Sequence, residues 1–130
     1  MEENNKKYKF YLEERLIQFT VEVTNVIEEL PDTKVCNHLG GQLLRSGTSP
    51  TLNYGEAQAA ESRKDFIHKL SISLKELRES RNNLKILYLK KSIQDEKRML
   101  RILNECEELI KIIRKSIQTA EENDSKIRKN

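Results

Sequence analysis

The glycines and prolines of this 130-residue chain all lie in one window, residues 31–55. Both residue types destabilise helix interiors, so their absence from residues 1–30 and 56–130 favours long uninterrupted helices on both sides of the window. Charged residues make up 35% of the chain, and tryptophan is absent. This composition favours an all-α protein over sandwiches, barrels and glycine-looped nucleotide folds.

Apolar residues recur at steps of three and four in four segments of the chain, which is the spacing of one helical face. The pattern predicts one antiparallel up-down-up-down four-helix-bundle domain over residues 1–130, with a frayed C-terminal tail. The predicted helices span about residues 6–30, 33–60, 63–90 and 93–122.

Short polar residues at the predicted helix starts indicate where three of the helices begin. Asp32 or Thr33 can cap the second helix. Ser62 with Asp65 has the spacing of a capping box for the third helix, and Ser92 with Asp95 repeats it for the fourth.

Pro50 lies inside the second predicted helix and removes one backbone donor there. We expect a kink at this position. The alternative is a break, with Ser49 as the N-cap and Pro50 as the first residue of a new helix.

The second predicted helix changes from aliphatic to small and polar along its inward face. That face comprises Leu39, Leu43, Ser46, Asn53, Ala57 and Ala60, with Ser49 and Glu56 at its edge. Ser73 and Ser80 on the third helix offer a matching groove. Buried polar groups must be hydrogen-bonded, so we expect Glu56 to find a partner such as Arg45 or a hydroxyl or amide group. The expected role is to specify helix register, and a ligand or contact site is the alternative.

Residues 42–80, QLLRSGTSPTLNYGEAQAAESRKDFIHKLSISLKELRES, resemble a bacterial four-helix-bundle family, the 23S rRNA intervening-sequence proteins. Family members read approximately QL-RS--S---N--E in their second helix and F---L--A--S--EL in their third. The matching residues are Gln42, Leu43, Arg45, Ser46, Ser49, Asn53 and Glu56, followed by Phe66, Leu70, Ser73, Glu76 and Leu77.

The resemblance implies a cyclic homopentamer, encoded in some bacteria within an insertion in the large ribosomal RNA gene. Relatives that accompany diversity-generating reverse transcriptases are similar in fold and bind nucleic acid and the polymerase. The resemblance therefore implies an RNA or ribosome-related partner, although the family name describes a gene location rather than an activity.

Enzymatic motifs are missing from the chain, including G-x-S-x-G, H-E-x-x-H, the phosphate loop and the dinucleotide fingerprint. His38 and His68 fall on different predicted helices, each without a second ligand three or four residues away. We therefore expect no catalytic activity, no cofactor and no metal site.

Positive charge is concentrated in residues 62–91, which hold nine basic and three acidic residues. The first functional hypothesis is an RNA-binding or other nucleic-acid-binding accessory protein that contacts phosphates through the third helix. Arg81 interrupts the apolar face and is expected to pair with Glu56 or Glu76. The candidate phosphate-binding residues are Lys64, Lys75, Arg78, Arg81 and Lys85.

The second hypothesis is an oligomeric protein–protein interaction scaffold whose charges only solvate its surface. Apolar residues outside the main helical faces are expected to form its subunit interface. They are Phe10, Tyr11, Ile72, Ile86, Leu89, Leu103 and Ile112.

No apolar run approaches the roughly 18 residues of a membrane span or resembles a signal peptide, so we expect a soluble cytoplasmic protein without a membrane partner. Cys36 and Cys106 are too few for a disulfide framework and are expected to be small core hydrophobes or inert thiols.

Overall fold

The computed structural model describes the backbone of residues 2–129 and the side chains of residues 11–126. Within this range the secondary structure consists of four helices, which confirms the predicted all-α class. They are α1 (Glu2–Glu29), α2 (Lys34–Gln58), α3 (Arg63–Leu89) and α4 (Glu96–Lys129).

The helices pack in chain order around one core, and α1 and α4 close the ring. Among the described residues the backbones of α1 and α3 do not approach each other closely, nor do those of α2 and α4, so these pairs lie on opposite corners of the bundle. Apolar residues from all four helices fill the centre, including Leu16, Leu43, Leu77 and Leu109. No helix in the described part of the chain is both long and apolar enough to cross a membrane.

Two of the three predicted helix starts are confirmed by their caps. The Thr33 side chain accepts a hydrogen bond from the Cys36 backbone N–H at 3.1 Å, and Ser62 Oγ accepts one from Asp65 N–H at 3.1 Å. The predicted start of the fourth helix is wrong, because α4 begins at Glu96. Its cap is Asp95, whose Oδ1 accepts a hydrogen bond from Arg98 N–H at 3.0 Å. Ser92 instead belongs to the end of α3, where its N–H donates to the Leu87 carbonyl at 3.1 Å.

Both outer helices extend beyond their predicted limits. α1 already begins at Glu2, and α4 continues to Lys129 where a frayed tail was predicted after residue 122. The added residues include no glycine or proline, and i to i−4 backbone hydrogen bonds do not require apolar neighbours.

α2 runs without interruption through Pro50, so the predicted alternative of a break there is wrong. Pro50 is buried, and its carbonyl oxygen accepts a hydrogen bond from Ser73 Oγ of α3 at 2.9 Å. The neighbouring helix therefore anchors the backbone at the position where proline removes a donor.

The inward face of α2 is rotated from the predicted one. Its buried residues are Cys36, Gly40, Leu43, Ser46, Gly47, Pro50, Tyr54 and Ala57. The predicted Leu39, Asn53 and Ala60 are only half-buried. Glycine and proline contribute little to an apolar pattern, so the sequence does not reveal that they face the core.

Candidate functional site: the α2–α3 interface and the outer face of α3

Small hydroxyl residues line the contact between α2 and α3, as the sequence predicts. Ser46 and Ser80 are fully buried, and their Oγ atoms lie 3.0 Å apart. Ser80 Oγ also lies within hydrogen-bonding distance, 2.9 Å, of the Glu76 carbonyl oxygen of its own helix. Small side chains permit close approach of the two helices, and the hydrogen bonds satisfy the polar atoms that this approach buries.

Arg45 of α2 is held by two carboxylates of α3. Its Nη1 donates to Glu76 Oε2 at 3.0 Å, and its Nη2 donates to Glu79 Oε2 at 2.9 Å. The hydrogen bond to Glu79 and the charge of Glu76 raise the pKa of Arg45. Glu76 is buried while 59% of the Arg45 side chain remains exposed, so the guanidinium covers the carboxylate and still faces solvent.

The prediction that Glu56 lies at the edge of the inward face and bonds to Arg45, a hydroxyl or an amide is wrong. Its side chain is 60% exposed, and its Oε2 accepts from Lys69 Nζ at 2.8 Å at the surface, which raises the pKa of Lys69. The adjacent Ala57 takes the inward position, because the helix face passes through Tyr54 and Ala57.

Asn53 and Ser49 are half-buried and bond within α2 rather than across the interface. Asn53 Nδ2 donates to the Ser49 carbonyl oxygen at 3.0 Å and to Ser49 Oγ at 2.9 Å. These contacts satisfy the amide donor locally.

Four of the five candidate phosphate-binding residues lie exposed on the outer face of α3, and we call these four the α3 cationic stripe: Lys64, Lys75, Arg78 and Lys85. None of the four forms an ion pair with residues 11–126, whose side chains the structure describes.

Arg81 does not belong to this stripe, and its predicted pairing with Glu56 or Glu76 is wrong. It is half-buried, and its Nε lies 3.6 Å from Glu107 Oε1 on α4. Its position in the apolar face directs it toward α4, whereas Glu76 faces α2 and pairs with Arg45.

Sequence reasoning missed an open groove on the α2–α3 surface with a volume of about 340 Å³, lined by Gln42, Arg45, Glu79, Asn82 and Asn83. A signal for its innermost residue, Asn83, was available. Asn83 continues a buried polar series on α3, Ser73, Glu76 and Ser80, whose members recur at steps of three and four.

The predicted interface residues divide into two groups. Tyr11, Ile86 and Leu89 are exposed, by 61%, 43% and 67%. Leu103 and Ile112 instead pack against the core of the bundle, because α4 presents a wide apolar face to its neighbouring helices. Ile72 is half-buried, and Phe10 lies outside the residues whose side chains are described.

His38 and His68 are exposed on different helices. No group of three His, Cys, Asp or Glu side chains that could hold a metal ion occurs among the described residues. Cys106 is fully buried, and burial raises the pKa of its thiol to about 12, so the thiol is neutral at physiological pH.

Comparisons with known proteins agree with this architecture. A family model described as "23S rRNA-intervening sequence protein" matches residues 9–115. The chain is also similar to a crystal structure of a protein with unknown function from the S23 ribosomal protein family of Bacteroides thetaiotaomicron VPI-5482. The TM-score is 0.75 at 33% sequence identity, with 82% of this chain and 97% of that chain covered. No curated protein matches the chain.

Proposed function

Since this chain belongs to the 23S rRNA-intervening sequence protein family, we propose that it is a non-enzymatic accessory protein of the bacterial cytoplasm that binds RNA phosphates through the α3 cationic stripe. One observation carries the proposal. The stripe cations have no carboxylate partner among the described residues, whereas Lys69 and Arg81 on the same helix are both paired.

The distribution of charge supports α3 as the binding corner. α3 holds seven basic and three acidic residues, whereas α1 holds four basic and seven acidic residues. These two helices lie on opposite corners of the bundle, so RNA is attracted to one corner and repelled from the other. At 1.5 Å per residue, the stripe from Lys64 to Lys85 is about 30 Å long, which is enough to follow several phosphates.

The test is a triple variant, Lys75→Gln, Arg78→Gln and Lys85→Gln, measured against single-stranded RNA over a range of salt concentrations. We expect weaker binding, with the slope of log affinity against log salt smaller by up to about 2, since each lost contact removes roughly 0.7. Unchanged affinity in this variant would exclude α3 as the RNA surface.

A matched triple variant controls for net charge: Lys97→Gln, Arg114→Gln and Lys115→Gln, at three exposed positions of α4. It removes the same charges and should keep most of the affinity. A loss as large as that of the α3 variant would mean that net charge, rather than the stripe, governs binding. Arg81→Gln should leave the RNA affinity unchanged and lower the thermal midpoint only slightly, because its contact with Glu107 is a partly exposed ion pair at 3.6 Å.

Exposed apolar side chains favour the second candidate function, an oligomeric scaffold. Ile17 and Val21 on α1 are 41% and 43% exposed, and Leu44 and Leu52 on the adjoining α2 are 48% and 67% exposed. We propose that they pack against a further copy of the chain, in the pentamer that family resemblance implies. This apolar surface does not include the α3 cationic stripe, so self-association and RNA binding are compatible.

A further inference from the structure

The groove between α2 and α3 is lined entirely by side chains that can donate or accept hydrogen bonds. Three of them are carboxamides, those of Gln42, Asn82 and Asn83, and the other two are Arg45 and Glu79. A carboxamide offers a donor and an acceptor side by side, so three around one groove suit a ligand that carries both.

Asn83 is the innermost of these residues and lacks a protein partner. It is only 8% exposed, and its amide makes no hydrogen bond to the described residues. Among the described residues, every side-chain nitrogen or oxygen that is fully shielded from solvent has a hydrogen-bond partner. The unpaired amide of Asn83 is therefore still reached by solvent, and it lines the groove. The amide is therefore free to bond with water or with a ligand that enters the groove.

Charge decides which part of an RNA chain suits the groove. Arg45 contributes one positive charge, whereas Glu76 and Glu79 beside it contribute two negative charges. The resulting negative charge repels phosphate but tolerates a neutral polar group. The guanidinium of Arg45 is fixed by both carboxylates and remains exposed, so its planar face is available for stacking on an aromatic ring.

The groove adjoins the α3 cationic stripe. Asn82 follows Arg78 by four residues and precedes Lys85 by three, so the three residues lie on one face of α3. An RNA strand bound along the stripe therefore passes the mouth of the groove.

We propose that this groove is a nucleobase pocket for single-stranded RNA and that it favours bases with an exocyclic amine. The proposal rests on RNA binding by the α3 cationic stripe. Glu79 offers only acceptors, so it pairs with the exocyclic amine of cytosine or adenine and repels the carbonyl oxygen that uracil carries in its place, while the carboxamides bind the rest of the base edge.

The experiment compares binding of the full chain to three ten-nucleotide probes with equal numbers of phosphates: oligocytidine, oligouridine and an abasic strand. We expect oligocytidine to bind at least about fivefold more tightly than the other two. In a Gln42→Ala, Asn82→Ala double variant, this preference should shrink to less than about twofold with an unchanged salt slope. Both residues are exposed, so the fold should tolerate their replacement.

A Gln18→Ala, Asn25→Ala double variant on α1 is the matched control, because it removes the same two side-chain types from exposed positions. It should keep the full preference for oligocytidine. Loss of preference in this control would place base recognition elsewhere and overturn the pocket.

The remaining outcomes separate the two proposals. Equal, salt-dependent binding of all three probes would overturn the nucleobase pocket and leave phosphate binding by the stripe intact. Absence of binding to every probe would overturn both.

Discussion

Of the four glycines in the chain, Gly47 of α2 lies closest to a side chain of α1. A Cβ atom at this position would lie 2.7 Å from Val23 Cγ1. The surrounding contacts include a hydrogen bond from Thr20 Oγ1 to the Gly47 carbonyl oxygen at 3.0 Å. Val23 is fully buried and branched at Cβ, so it cannot move aside by changing rotamer without disturbing the core.

We therefore expect Gly47→Ala to lower the free energy of unfolding by about 1–2 kcal/mol, since overpacking outweighs the gain in helix propensity. Gly55→Ala is the matched control, because nothing lies within 4 Å of the Cβ it would add. It should raise the free energy of unfolding by roughly 0.5–1 kcal/mol. Urea unfolding of both variants checks the pair, and equal stabilisation would show that α1 and α2 are not in close contact at Gly47.

At the scale of the element, the connection between α3 and α4 shows how one local motif can displace another. Lys91 has a φ of 56°, Lys91 N–H donates to the Tyr88 carbonyl oxygen, and Ser92 N–H donates to the Leu87 carbonyl oxygen. This pair of hydrogen bonds is a Schellman motif, in which glycine normally occupies the left-handed position. Ser92 therefore belongs to the C-terminal end of α3, and Asp95 is the residue that caps α4.

Lys91→Gly should raise the free energy of unfolding by about 0.5–1 kcal/mol, because glycine adopts the left-handed conformation without steric cost. Lys90→Gly is the control, since Lys90 has a φ of −77° and gains no such relief. That control should leave stability unchanged or lower it by up to about 1 kcal/mol. Thermal unfolding distinguishes the two variants, and a Lys91→Gly variant less stable than the parent chain would contradict the argument.

At the scale of the whole molecule, the apolar surface of α1 and α2 predicts self-association. We expect light scattering at micromolar concentration to give a mass several times that of the 15.3 kDa chain. Val21→Lys should shift the protein toward the monomer, because it places a charge in the proposed interface. Leu100→Lys on α4 is the control, with 42% exposure against 43% for Val21.

A monomeric parent chain would remove the scaffold hypothesis and leave RNA binding as the remaining candidate. Equal dissociation in both lysine variants would show that the interface is not specific to α1 and α2.

The sequence by itself determined the number and approximate extent of the helices, the caps at Thr33 and Ser62, and the hydroxyl contacts between α2 and α3. These features follow from periodicity and from interactions between residues close in the chain. It also indicated the exposed cations Lys75, Arg78 and Lys85, because they lie outside the apolar face of α3.

Only the tertiary structure decided which side chains meet across helices. The rotation of α2 depends on Gly47 and Pro50 facing the core, and neither residue carries an apolar signal strong enough to reveal this. With α2 in this orientation, Glu56 lies at the surface and pairs with Lys69, and Arg45 pairs with Glu76. The groove at Asn83 likewise requires two helices in register, because residues distant in the chain form its walls.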